Sequence, residues 1–277
     1  MYFARETGPL CLRCGRVVAY ARGDRVESYV LAEFAAWGGS TRVNTHVPTN
    51  QAKSRGNFYT WVAVAAALIV FAGFARTYYL KELFGTRSLP LLLHVHGLVM
   101  TLWFVLFLVQ VRLVAAHRSD LHRRLGVFGA LLALLVVAVG ATTIIIRAKP
   151  HFRPGHSLAG LAFQLSILLV FAVLVAAAIL FRRRSDFHKR LMLLASVSIL
   201  MPAIVRIPLA FIKGNALVGF GLIDLCVLAP VAFDTIKNRR LHPAFGWGAL
   251  LIVASQPLSF LLGATHIWTR FATWLLT

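Results

Sequence analysis

Arg118-Ser-Asp-Leu-His-Arg-Arg-Leu125 returns, almost word for word, as Arg184-Ser-Asp-Phe-His-Lys-Arg-Leu191. Each copy follows one long apolar stretch and opens another. A basic phrase repeated between apolar runs marks a repeated helix–loop–helix unit, with both loops on the same side of a membrane. The phrase has a structural use in both places. Ser119-Asp120 and Ser185-Asp186 fall where a helix begins, where serine is a good cap and an acid suits the positive end of the helix dipole. The basic residues that follow suit anionic headgroups. Each copy also puts a histidine, His122 or His188, at the mouth of an apolar helix.

Composition agrees with a membrane protein. The chain is 59% hydrophobic and 14% charged, with a mean hydropathy of +0.76, and a soluble domain of this length does not carry so much apolar sequence. Crossing the hydrocarbon takes ~20 mostly apolar residues as a helix. Seven windows qualify, roughly 57–75, 90–114, 124–146, 156–181, 189–212, 218–236 and 245–268. None alternates as a barrel strand does. The expected fold is all-α: a seven-helix transmembrane bundle containing a parallel two-helix repeat.

The net charge of +20 does not point to nucleic acid, because the basic residues sit in short loops between apolar windows. Loop 2–3 carries Arg112, Arg118, Arg123 and Arg124; loop 4–5 carries Arg182, Arg183, Arg184, Lys189 and Arg190; loop 6–7 carries Lys237, Arg239 and Arg240. The opposite loops carry fewer. This bias predicts a cytoplasmic N-terminus and an external C-terminus in a bacterial inner membrane.

Residues 1–55 differ from residues 56–277. They are polar, hold four of the nine acidic residues, and show no sustained periodicity. No basic segment there leads into an apolar signal-peptide core. The stretch reads as a mobile cytoplasmic tail, or as an extension not native to the protein. Its Cys11-x-x-Cys14 lacks the second half of a zinc site.

Ionisable groups at membrane depth are costly and usually face the bundle interior. Arg206, between Pro202 and Pro208, lies near the outer end of span 5, and Asp224 lies at matching depth in span 6. An Arg206–Asp224 ion pair is expected. His94, His96, His156 and His266 fall toward the outer side; His117, His122, His188 and His242 fall toward the inner side. Spans 2 and 4 thus carry outer histidines and spans 3 and 5 inner ones. That alternation suits two stacked haems, each held by imidazoles from two helices. His96 with His156 is one candidate pair and His122 with His188 the other. On span 2, Trp103 and Gln110 follow His96 at intervals of seven, on one face. The competing reading leaves the histidines in packing or at the interface.

From about Asn57 onward the chain resembles a group of uncharacterised bacterial multi-pass membrane proteins. The shared phrases are Gly73-Phe-Ala-Arg-Thr-Tyr-Tyr79, His94-Val-His-Gly97, His122-Arg-Arg-Leu-Gly126, His188-Lys-Arg-Leu-Met192 and Arg206-Ile-Pro208. More distantly, one histidine on each of spans 2–5 is similar to the two-haem transmembrane ascorbate-dependent b-type cytochromes, whose ligands pair between alternate helices. That resemblance implies haem b and electron transfer.

Three functions compete on this reading. One is a b-type haem protein that moves electrons. Another is an enzyme or carrier for a small apolar molecule, a lipid or quinone, in an outward pocket lined by His94, His96, Arg206, Asp224 and His266. The last is a structural membrane protein without a ligand.

Overall fold

The computed structural model describes residues 58–86, 88–150, 152, 158–209 and 217–277 in full, and the backbone alone of residues 10–12, 15–22, 25–31, 43–44, 50–57, 151 and 216. The chain divides into two compact units, Met1–Ser54 and Arg55–Thr277. In the first, strands β1 (Leu10–Leu12), β2 (Gly15–Arg22), β3 (Arg25–Leu31) and β4 (Val43–Asn44) pair as an antiparallel meander. Arg22 pairs with Arg25 across its central hairpin.

The second unit is all-α. Helix α1 (Asn50–Phe74) runs into a π-helical turn at Ala75–Tyr79. Then come α2 (Leu91–Ala115), α3 (Ser119–Ala148), α4 (Ala159–Leu180), α5 (Ser185–Ser198), the short α6 (Met201–Ile204), α7 (Ala216–Asn238), α8 (Pro243–Gly263) and α9 (His266–Leu276). Among the described residues, seven stretches are long and apolar enough to cross a membrane, with α5 and α6 counting as one. The chain is a multi-pass membrane protein, as its apolar windows indicate. Both copies of the repeated phrase open a helix, α3 and α5. Their serines are the first helical residues, and neither helix has a side-chain cap bond. The caps lie elsewhere, at His242 and Thr265, whose side chains accept from Ala244 N and Trp268 N.

Helix α5 forms the centre. The span it opens is 72% buried, against 22–33% for the other six, and its mean hydropathy of 1.3 is the lowest of the seven. Those two numbers belong together: a helix shielded by its neighbours has no need of a lipid-facing surface. Leu193, Leu194 and Ala195 are fully buried. Helix α8 reaches α5 through Gly248, where an added Cβ would stand 2.5 Å from Leu194 Cδ1. Helix α1 presses on α6 in the same way: a Cβ on Gly73 would collide with the backbone of Ala203.

One ion pair ties this centre to α7. Arg190 Nε donates to Asp234 Oδ2 at 3.0 Å, and Nη2 donates to Oδ1 at 2.9 Å and to Oδ2 at 2.8 Å. Nη1 donates to the Asp186 carbonyl at 2.9 Å, and the guanidinium lies over the Phe245 ring at 5.6 Å. Both residues are buried.

The bundle departs from the sequence expectation at two ends. Span 5 stops at Ile204 rather than near residue 212: α5 breaks at Ile199 and Leu200, just before Pro202, and α6 ends after one turn ahead of Pro208. Span 7 stops at Gly263, and the chain restarts in a new direction as α9.

Removing one partner of a buried pair strands the other charge, at a cost of ~3–5 kcal/mol. Arg190→Met and Asp234→Asn should each lower the unfolding midpoint in detergent sharply. The double variant Arg190→Met/Asp234→Leu should recover most of that loss. Equal or additive losses in the double variant would contradict the pairing.

Candidate functional site

The two copies of the repeated phrase converge. Each puts its histidine one turn inside the start of its helix, His122 on α3 and His188 on α5. The ring centres stand 6.1 Å apart with planes at 81°. The end of the bundle where they meet also carries the exposed Arg118, Arg123, Arg124 and Arg182–Arg184.

His188 is fixed by its own fold. The last four carbonyls of α4 have no partner inside that helix, and one of them, Ala178 O, lies 2.8 Å from His188 Nδ1. A carbonyl can only accept, so Nδ1 carries a proton and Nε2 is the nitrogen left for another partner. Orientation of a ligating imidazole through its other nitrogen is a recurring arrangement at metal centres.

His122 has an unmet need. Its Nδ1 is buried without a hydrogen-bond partner, as are Gln110 Oε1, Trp103 Nε1 and His96 Nδ1. The last three form the seven-residue stripe on α2, now seen to face inward along the length of the helix. Each such buried atom costs ~1–3 kcal/mol when left unmade.

At the opposite end of α2, the π turn wraps over the first helical turns. Tyr78 OH donates to the His94 carbonyl at 3.2 Å, and Tyr79 OH meets Thr101 Oγ1 at 2.8 Å. Gly97 leaves room for this: a Cβ there would lie 2.5 Å from the Tyr78 ring. The expected partner of His96, His156, lies outside the described residues.

The expected outward pocket does not assemble as a unit. Arg206 and Asp224 are not paired. Once α6 ends, the Arg206 guanidinium turns back to donate to Pro202 O at 2.6 Å and lies over the Phe74 ring at 5.1 Å. Asp224 Oδ1 instead accepts from Gln256 Nε2 of α8 at 2.6 Å. The reason is that the helix ends at Ile204 and residues 205–209 are not helical, whereas facing Arg206 toward α7 needs an unbroken span 5. His266 opens α9 and is exposed, so it does not join the other four. A half-open cleft of about 260 Å³ does lie at this end, lined by Ile144, Arg147, Ala148, Phe152, Leu161 and Gln164 among others.

Two participating residues escape the sequence reading, Asp234 and Gln256, while His242 is placed there on the inner side without a role. Asp234 had a usable signal, an acid in the last turns of an apolar window whose depth matches that of Arg190. Gln256 had a weaker one, an amide in mid-window.

Comparison of the chain with protein-family models, curated proteins and solved structures gives no match.

His242 links the site to stability. It caps α8 by accepting from Ala244 N–H at 3.2 Å through Nδ1. It packs edge-on to Phe187 at 4.7 Å, and its Nε2 lies 3.8 Å from Asp186 Oδ2. Burial, then the charge of Arg190, hold its pKa below the ordinary 6.5, against an opposing pull from Asp186 and Asp234. The folded state therefore favours neutral His242. Its contribution is complete above the unfolded value of 6.5 and is lost as pH falls through the lower folded value. His242→Asn keeps a capping acceptor that cannot titrate. Melting curves between pH 7.5 and 5.5 should show a smaller acid-side loss in that variant than in the parent. An unchanged slope would remove His242 from the account.

Proposed function

We propose that His122 and His188 would hold a b-type haem and that the protein moves electrons in the membrane. The 6.1 Å separation of the two ring centres carries this reading. Imidazole–metal contacts of ~2 Å, plus ~1 Å from nitrogen to ring centre on each side, give ~6 Å for two imidazoles facing one metal. No third His, Cys, Asp or Glu joins the pair among the described residues. A porphyrin would supply a metal held there with its other donors.

The haem, when bound, supplies one-electron chemistry, with its potential set by the axial ligands and by burial. The chain's own residues do the rest. Ala178 O orients His188 and strengthens it as a donor. The exposed guanidiniums of Arg123 and Arg124, beside His122, suit the acidic side chains of such a cofactor. His96 has a buried Nδ1 without a partner, and would be one ligand of a second haem in this reading. The basic end faces the cytoplasm of a bacterial cell, by the excess of Lys and Arg in its loops.

A second reading is a carrier or enzyme for a lipid or quinone. The 260 Å³ cleft favours it, since apolar walls with one guanidinium and one amide suit an apolar molecule with a polar head.

An optical spectrum tests the first reading. Full-length protein purified from haem-replete cells should show a Soret band, and His122→Ala and His188→Ala should each abolish or shift it while the melting transition persists. A preparation without the band, or a band indifferent to both substitutions, would overturn the assignment.

A further inference from the structure

The last helix of the chain is built for a boundary. Helix α8 has 21 residues, and at 1.5 Å per residue it covers about 31 Å, close to the hydrocarbon thickness of ~30 Å. The crossing is therefore complete at Gly263. A turn follows, and Thr265 Oγ1 accepts from Trp268 N at 3.1 Å to start α9. This is the end of the bundle opposite His122 and His188.

Helix α9 sorts its side chains into three stripes. Trp268, Ala272 and Leu276, four residues apart, are buried against Leu161, Ala162, Ile144, Ile145 and Ala148. Trp268 Nε1 also donates to Leu158 O at 3.1 Å, which pins the helix to the start of α4. The second stripe is apolar and uncovered: Ile267 is 79% exposed, Phe271 45% and Trp274 72%. The third is polar, made of His266, Thr269, Arg270 and Thr273. At 100° per residue the three stripes follow one another around the axis.

We propose that α9 lies in the plane of the membrane as an interfacial anchor, with Ile267, Phe271 and Trp274 among the lipid chains and Arg270 at the headgroups. Water would leave the apolar stripe unsatisfied, and full immersion would strand Arg270. Only the headgroup–acyl boundary serves both. The exposed Leu258, Leu261 and Leu262 at the end of α8 lead into the apolar stripe, so α9 extends the lipid-facing surface of the spans. Tryptophan prefers this depth. A second copy of the chain is a poorer occupant. Aromatic residues bury ~150–250 Å² each, so three side chains fall short of the roughly 800 Å² per partner of a stable interface. The proposal does not depend on haem.

Site-directed spin labelling of the full chain in phospholipid vesicles tests it. Cys11→Ser, Cys14→Ser and Cys226→Ala clear the background, and Ile267→Cys, Arg270→Cys and Trp274→Cys carry the nitroxide in turn. Labels at 267 and 274 should collide several-fold more with oxygen than with a water-soluble nickel chelate, and the label at 270 should show the reverse. Nickel dominance at all three positions would put the helix in water and overturn the proposal. Shielding of 267 and 274 from both reagents would assign the stripe to a protein partner and overturn it equally. In the chain with native cysteines, Trp274→Phe should reduce the fluorescence that brominated acyl chains quench. No reduction would count against the anchor.

Discussion

An arginine inside a membrane bundle has to be met by a group that takes its charge and most of its N–H bonds. Asp234 does this for Arg190 across three contacts, and the Asp186 carbonyl takes another. The consequence is architectural. The pair fixes the rotation of α5 about its axis, and α5 opens the most buried span, packed by α4, α7 and α8. With Arg190 turned toward α7, His188, two residues earlier, is turned toward α4 and α3. There it meets the Ala178 carbonyl and the ring of His122. Buried pairs of this kind often add little net stability. Their value lies in excluding other arrangements of the same helices, and here the excluded arrangements would part the two histidines.

The internal repeat explains why those histidines share a depth. Two helical hairpins, α2–α3 and α4–α5, carry the same phrase at the same joint. Packing α3 and α4 together brings the joints to one end of the bundle, and each histidine enters from its own helix. The unpartnered atoms of His96, Trp103, Gln110 and His122 then trace one inward line.

Much of this was legible in the residues. Apolar windows of membrane length revealed the spans, because hydropathy over ~20 residues is a sum that local detail cannot hide. The repeated phrase revealed the histidine pair, because identical wording implies identical depth. The seven-residue interval from His96 to Gln110 gave the inward face of α2. Pairings that depend on how a helix ends were not legible. Arg206 was matched to Asp224 by counting turns through Pro202, and the count failed where α5 broke. Asp234 was passed over because Arg190 stood in a run of loop cations whose obvious use was topological. Helix α9 was absorbed into span 7, since apolarity continues across Gly263 and only the turn at Thr265 separates them. In the N-terminal unit, Gly23-Asp24 lies between two β-rich runs, a sequence of the kind that links hairpin strands, and overall polarity masked it.

The weak hydropathy of the central span has a consequence for biogenesis. A segment with mean hydropathy 1.3 and an arginine in its first turns is a poor substrate for insertion by itself. Its counter-charge, Asp234, emerges from the ribosome 44 residues later. Until α7 follows, α5 has neither its ion pair nor the wall of neighbours that makes its sequence tolerable. The most buried span of the bundle therefore depends for its neutralising charge on a helix that is synthesised after it.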